Sequence, residues 1–398
     1  MQQQKLFQFP QILLLMILFS YLSFAAVIFT PAYPDLSKQF HLSDSQAQWM
    51  MTLFLLGAAF GRLPYGPLAN RFGRKKILFL GLVISIVGTV WILAANSYAL
   101  VCVGRLVQAI GCAVTLKISY TMIADLHAGS KATKALSYSM FVYAILPGIG
   151  TMVSGYLTPQ YGWRGGFWFF LFFSILFTLS CLCLPETLKK KDLEALEIKK
   201  IAKGYSLQFK NPSLMMWSCL MALTTAVLFI FSQEAPFIAH HFMEMSPAAY
   251  GTFYLIPAFG IAGGSLFTAW LADRISPLNA VGMGIAIILL GTIAMGAAFL
   301  GKWFNGWALF IPQALIQFGD ALVYTFASSQ GLTEAKDKSN ASSVILFISS
   351  LGAVVATFIA GVLTTRAPLF MPLIFIVITL IMLGICLRLR KRAKACRV

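Results

Sequence analysis

The sequence predicts an all-α integral membrane protein, with twelve transmembrane helices in two six-helix, pseudo-symmetric bundles. Three observations predict it. First, twelve separate stretches of about twenty mostly apolar residues run through the 398-residue chain. A helix rises about 1.5 Å per residue, so each stretch can cross a hydrocarbon core about 30 Å thick. Second, hydrophobic residues make up 59% of the chain and charged residues 11%, which leaves no room for a large soluble domain. Third, a glycine- and arginine-bearing segment after the second stretch recurs, weakened, after the eighth, the mark of a parallel repeat. Helices fit better than barrel strands, because backbone groups in lipid must pair within their own segment and these segments are long.

The elements follow in order. The first span, near 11–33, is too long for a signal h-region, and it runs into Thr30-Pro31-Ala32-Tyr33-Pro34 rather than a small-residue cleavage site, so it is expected to be retained. The second, 46–66, carries Gly57 and Gly61 on a small face suited to close helix approach. Spans at 77–95, 98–120, 134–157 and 165–184 complete the first bundle, residues 1–184. A polar connector, 185–211, mixes seven lysines with Asp192, Glu194 and Glu197 and reads as a cytoplasmic amphipathic linker. The second bundle, 212–398, contains spans at 213–235, 248–270, 279–300, 304–327, 341–364 and 369–388 and ends in a basic tail. Gly260, Gly263 and Gly264 give its second span the same small face. Of the seven cysteines six lie in spans, where they act as small apolar residues rather than as disulfides or metal ligands.

Charge orients the chain. The formal net charge of +17 is not a nucleic-acid patch, because most of the 30 Lys and Arg residues fall in alternate loops, and Lys38, Arg164, Lys302 and Arg366 alone lie in the opposite ones. The positive-inside rule then puts both termini in the cytoplasm, in agreement with an even number of spans.

Two loops carry the repeat: Gly66-Pro67-Leu68-Ala69-Asn70-Arg71-Phe72-Gly73-Arg74-Lys75-Lys76, and Trp270-Leu271-Ala272-Asp273-Arg274. The first resembles the gating loop of the major facilitator superfamily. Arg105-Leu106-Val107-Gln108-Ala109-Ile110-Gly111 is similar to that family's fourth-helix stretch, and with Pro31-Ala32-Tyr33-Pro34 the chain looks most like the Bcr/CflA-type drug:proton antiporters. The resemblance implies a cytoplasmic gating latch at Gly66, Asn70, Arg71, Gly73, Arg74, Asp273 and Arg274. It also implies a coupling or gating role for Arg105, the alternative being an arginine that snorkels outward. Departures accompany it. Asn70 stands where the loop motif has Asp, Val27 where the exporters carry a first-helix acid, and Pro147 is displaced from the fifth-helix motif.

Of the thirteen acidic residues, Glu234 and Asp320 are the two in spans. Glu234 precedes Pro236 near the outer end of its span and reads either as a hydrated carboxylate at the mouth or as a proton-coupling group. Asp320 shares one helix face with Gln313, Gln317 and Tyr324, at i+7 against i, i+4 and i+11. The family fold lines its cavity with the first, fourth, seventh and tenth helices, so this stripe is expected to face the solute path. A charged Asp at mid-bilayer costs about 2.5–3.5 kcal/mol, so it is expected either to bind a proton or to sit in a static salt bridge. The fourth span carries a matching stripe of Arg105, Gln108, Cys112, Thr115 and Ser119. Lys117 lies nearly opposite that stripe and either snorkels or pairs with Asp320. Arg62 is expected to reach the inner interface.

These residues describe a secondary transporter of a bacterial inner membrane that moves a small organic molecule by alternating access, with protons as the coupling ion, as a monomer in the lipid bilayer. Export is expected by resemblance. Arg105 and Lys117 instead favour an anionic metabolite or siderophore, even imported. A non-transporting receptor or scaffold is the alternative from another class. No phosphate-cradling loop, nucleophile–base pair or metal cluster occurs, so neither enzyme activity nor a cofactor is expected.

Overall fold

The computed structural model describes residues 9–126, 130–188, 191–334, 338–363 and 367–395. Part of the charge reading, on Lys5, Lys131, Lys134, Lys336, Lys338 and Arg366, lies outside the described side chains.

The described residues form fifteen α-helices. The first span is broken: α1 (Phe9–Val27) gives way to a 3-10 turn at Thr30–Ala32, and α2 (Tyr33–Phe40) completes it. Pro31 and Pro34 sit at the first positions of the turn and of α2, where a missing N–H costs nothing. Next come α3 (Asp44–Phe72), α4 (Arg74–Ala94), α5 (Tyr98–Leu126), α6 (Ser130–Tyr161) and α7 (Arg164–Cys181). The amphipathic α8 (Ile198–Phe209) lies in the linker. The second half is α9 (Pro212–Met243), α10 (Pro247–Phe253) running into α11 (Leu255–Leu271), α12 (Pro277–Leu300), α13 (Gly306–Thr333), α14 (Lys338–Leu363) and α15 (Phe370–Ala395). Eleven of these spans are long and apolar enough to cross a membrane. The twelfth, α3, has 29 residues but carries Gln48, Arg62, Pro64 and Pro67 and is less apolar.

Side-chain caps fix where several helices start. Ser43 and Gln46 form a capping box before α3, the Asn211 carboxamide accepts from the Ser213 and Leu214 amides, and Asn305 accepts from Ala308 at 2.9 Å. Within each half glycines let backbones touch. A Cβ on Gly111 of α5 would lie 2.3 Å from the Ser85 amide nitrogen of α4, and one on Gly319 of α13 would lie 2.6 Å from the Gly284 carbonyl of α12. The repeat therefore appears in the packing as well as in the loops.

One expectation is corrected here. The segment from Gly66 to Phe72 is not a loop, because α3 continues through it and stops only at Gly73, whose φ of 109° no side chain readily adopts.

The halves meet along α3 against α14 and α6 against α10 and α11. On the side away from the linker, Gln233 donates to Gln48 at 2.7 Å, His241 meets Asp44 at 3.1 Å, and the rings of Tyr33 and Phe237 lie 5.4 Å apart. On the linker side Arg62 donates to the Leu346 carbonyl at 3.0 Å and to Ser350, Lys117 donates to Ser343, and Tyr205 of α8 donates to the Leu63 carbonyl at 3.1 Å. Side chains thus bridge the halves on both sides of the mid-plane.

Candidate functional site

Between those two sets of bridges lies a cavity of about 100 Å³ that both halves line. α13 supplies Gln317, Asp320 and Tyr324 to it, α3 supplies Arg62, α6 supplies Tyr143, and α14 supplies Ser349 and Ser350. Apolar walls, among them Phe54, Leu116, Leu228 and Phe229, separate these groups. The helical spacing that put Gln317, Asp320 and Tyr324 on one face explains why all three reach the same space. Gln313, one turn further toward the non-linker side, is fully buried and does not line the cavity.

Asp320 is 5% exposed, and neither of its carboxylate oxygens has a hydrogen-bond partner among the described residues. The Gln317 side-chain nitrogen and both amide atoms of Gln313 are also unpartnered. Such groups each cost free energy, about 1–3 kcal/mol for a neutral one and more for a charge. Their concentration on one helix face beside one cavity is the signature of a site rather than of a packed core.

The fourth-span stripe behaves differently, and its expected place on the solute path is corrected. Arg105 is fully buried, with Phe29 and Phe54 rings 4.2 and 4.0 Å from its guanidinium carbon. It donates to the Ala25 carbonyl at 3.0 Å, the Ala26 carbonyl at 3.4 Å and Gln108 Oε1 at 2.6 Å. Those carbonyls are left unpaired by the end of α1, the negative pole of a helix, and ring faces attract the cation as well. The arginine therefore pins the break in the first span and does not snorkel. Gln108 donates on to Thr89 at 2.8 Å, and Cys112 lies 3.1 Å from Ser85, which in turn meets Tyr21 at 3.0 Å. The stripe faces α1 and α4, inside its own half, because the glycine contacts draw α4 onto it. Leu116 is the residue that α5 turns toward the cavity.

Three other positions depart from expectation. Glu234 is buried rather than open at the mouth: it is 5% exposed and lines a cleft with Asp44, Phe237 and His241 beneath the bridges away from the linker. Lys117 neither snorkels nor meets Asp320. It crosses to Ser343 of α14, in space that exists because residue 66 is glycine, where a Cβ would lie 2.6 Å from its Nζ. Arg62 stays inside, on the cavity and on α14, instead of reaching the interface.

The repeated loops also differ. Glu186, at the start of the linker, accepts from the amides of Arg74 and Lys75 at 3.0 and 3.2 Å and so caps α4. The Asn70 carbonyl accepts from the Asp192 amide at 3.1 Å, and Arg71 donates to the Leu193 carbonyl. In the second copy Arg274 packs over Trp270 at 3.8 Å. Sequence reasoning missed Glu186 and Tyr143 and misplaced Arg62. A charge within a span was a usable signal for Arg62, but Glu186 and Tyr143 stand out in no pattern of their own.

The geometry defines a polytopic helical membrane protein with a cavity between its halves whose apolar walls carry a few polar groups. Comparison with known proteins gives the family. A sequence model described as Major Facilitator Superfamily matches residues 13–357. The chain belongs to that superfamily, among membrane transporters rather than enzymes. It is 28% identical over 255 residues to an uncharacterized transporter of Rickettsia bellii, a match that covers 64% of this chain and 63% of that protein's length. It is 23% identical over 373 residues to a bicyclomycin resistance protein homolog of Haemophilus influenzae, covering 92% and 93% of the two chains. In fold it is similar to the crystal structure of a D-xylose-proton symporter, with a TM-score of 0.76 over 93% of this chain and 96% of that one at 16% identity.

Proposed function

We propose that this protein is a secondary active transporter that exports a small organic molecule in exchange for protons by alternating access, with Asp320 as the proton-carrying group. One observation carries the reading: a buried carboxyl without a protein partner, on a cavity bounded by both halves. A neutral, protonated Asp320 suits that cavity, whereas the carboxylate needs a cationic partner or water, so proton and solute compete for one group. Opening the bridges on one side and then the other exposes it to each compartment in turn. Export is favoured by the similarity to the bicyclomycin resistance protein homolog of Haemophilus influenzae and to multidrug resistance protein D of Escherichia coli.

In this reading residues 1–184 and 212–398 move as two bodies joined by residues 185–211. The linker side is cytoplasmic, the membrane is a bacterial inner membrane and the monomer is the working unit. Arg105 and Gln108 hold the first body together, Gln317 flanks the solute with Gln313 buried behind it, and Glu234 serves the bridges on the outer side. Gly66, Asn70, Arg71, Gly73 and Arg74, with Asp273 and Arg274, shape the cytoplasmic closure. A second reading, uptake of an anionic solute, rests on Arg62, since Arg105 and Lys117 do not line the cavity.

The test uses purified protein in liposomes enclosing a pH-sensitive dye, challenged with a panel of small antibiotics. Compounds that provoke protein-dependent proton movement identify substrates. Asp320→Asn is expected to exchange those compounds at saturating concentration yet fail to concentrate them against a pH gradient. Full gradient-driven accumulation by Asp320→Asn rules the reading out.

A further inference from the structure

Arg62 and Asp320 place one positive and one negative side chain on the same cavity wall without neutralising each other. Both bonds that Arg62 makes, to the Leu346 carbonyl and to Ser350, use Nη1. Its Nε is buried without a partner, and Nη2 makes no hydrogen bond among the described residues. The Nε–Nη2 edge of a guanidinium is the edge that holds a carboxylate or phosphate by two parallel bonds. Asp320, for its part, has two oxygens without a partner among the described residues. It sits near the middle of α13, whereas Arg62 lies late in α3, nearer the linker side. The two positions stand at different depths, with the apolar side chains of Phe54, Leu55 and Leu228 also on the wall.

From this arrangement we infer that the cavity takes a zwitterionic solute: its anionic group on the free edge of Arg62, its cationic group on Asp320, and an apolar or aromatic body between them. The physical reason is compensation. A singly charged solute satisfies one pole and leaves the other buried and unpaired, the costly case, whereas a dipolar solute satisfies both and adds no net charge to the cavity. Tyr143 and Tyr324, both on the cavity and within electrostatic reach of Arg62, offer hydroxyl groups to the anionic end and ring faces to the body. The inference rests on the reading of this cavity as the solute site and adds the class of solute.

The experiment measures binding to the purified full-length protein by thermal shift and equilibrium dialysis. The probes are a panel of small metabolites and antibiotics sorted into zwitterions, monocations, monoanions and neutral compounds. Zwitterions are expected to dominate the ligands found. For the tightest of them, two analogues test each pole without any mutation: the amide, which keeps only the cation, and the N-acetyl form, which keeps only the anion. Each is expected to bind about tenfold more weakly or worse, since charge-assisted bonds are roughly twice as strong as neutral ones. Arg62→Gln is expected to lose affinity for the zwitterion and retain the amide, Asp320→Asn to lose the zwitterion and retain the N-acetyl form, and Arg62→Lys, which keeps the charge but not the two-bond fork, to lose less affinity for the zwitterion than Arg62→Gln does. A panel in which no zwitterion binds overturns the inference, whatever else does. So do analogues that bind as tightly as the parent, and an Arg62→Gln protein that folds and keeps full affinity. A monoanion bound with uptake of one proton places the proton, not a solute cation, on Asp320 and overturns it as well. Binding of a zwitterion that is never moved defeats the transport reading and leaves the two-pole site standing. Gradient-driven movement of a singly charged solute indifferent to Arg62 defeats the two-pole site alone.

Discussion

The helices α5 and α13 occupy equivalent places in the two halves, and each buries a stripe of polar side chains, yet they handle them in opposite ways. In α5 most of the polar groups have protein partners, with Arg105 on the carbonyls at the end of α1 and on Gln108, and Gln108 on Thr89, while Arg105 Nε and Ser119 Oγ are left over among the described residues. In α13 they do not: Gln313, Gln317 and Asp320 each keep polar atoms with no partner among the described residues. The difference teaches that a buried polar stripe is not in itself a solute path. Where the partners are internal, the stripe holds a bundle together. Where they are missing, a bound solute, a proton or water must supply them, and that need is what selects a ligand.

The largest effect expected from breaking this contrast is at Arg105. Arg105→Met strips the end of α1 of its donors and leaves Gln108 Oε1 unpaired, and it is expected to destabilise the protein by about 3–5 kcal/mol, the usual cost of removing one member of a buried charged network. Asp320→Asn removes a lone buried charge and is expected to leave the melting temperature unchanged or raised. Thermal unfolding of both variants in detergent checks the pair, and equal losses would erase the distinction.

A smaller effect separates the two glutamines. Gln108→Leu is expected to cost about 1–3 kcal/mol, because it removes one partner from each of Arg105 and Thr89. Gln317→Leu removes a donor that has no protein partner and is expected to be near neutral for stability while weakening solute binding. Measuring melting temperature and affinity on the same samples sharpens the contrast, which fails if Gln317→Leu melts early.

The smallest effect lies at the repeated loops. Glu186→Gln keeps an acceptor for only one of the Arg74 and Lys75 amides, turns an NH2 group toward the other and loses the charge assistance, for about 1 kcal/mol at the start of α4. Hydrogen exchange is expected to rise in the first turn of α4 and to leave the loop at Asp273 and Arg274 unchanged. Equal change in both copies would mean that the linker does not distinguish the halves.

The sequence is informative about each helix taken singly. Long apolar runs mark the spans, Pro31 and Pro34 mark the break in the first, and the spacing of Gln317, Asp320 and Tyr324 announces a shared face that the cavity then uses. It is poor on how helices face each other. The Arg105 stripe has a helical period as clear as that of Asp320, and it turns inward because Gly88 and Gly111 bring α4 against it. Glu234, near a span end, had every reason to be wet until Asp44 and His241 closed above it. Lys117 and Arg62 reach α14, a helix more than 200 residues away in the chain, and no local pattern announces that. Glu186 looks like one more linker charge until its carboxylate meets two amides at the head of α4.

What the amino-acid order determined by itself, then, is the number of crossings, the duplicated plan and the polar phase of every helix, because hydrophobic periodicity and backbone hydrogen bonding act within a segment. Tertiary structure alone decided which polar face is paired and which is left open. That choice depends on the rotation of each helix against its neighbours, set by glycine contacts and cross-half bonds between residues far apart in the chain.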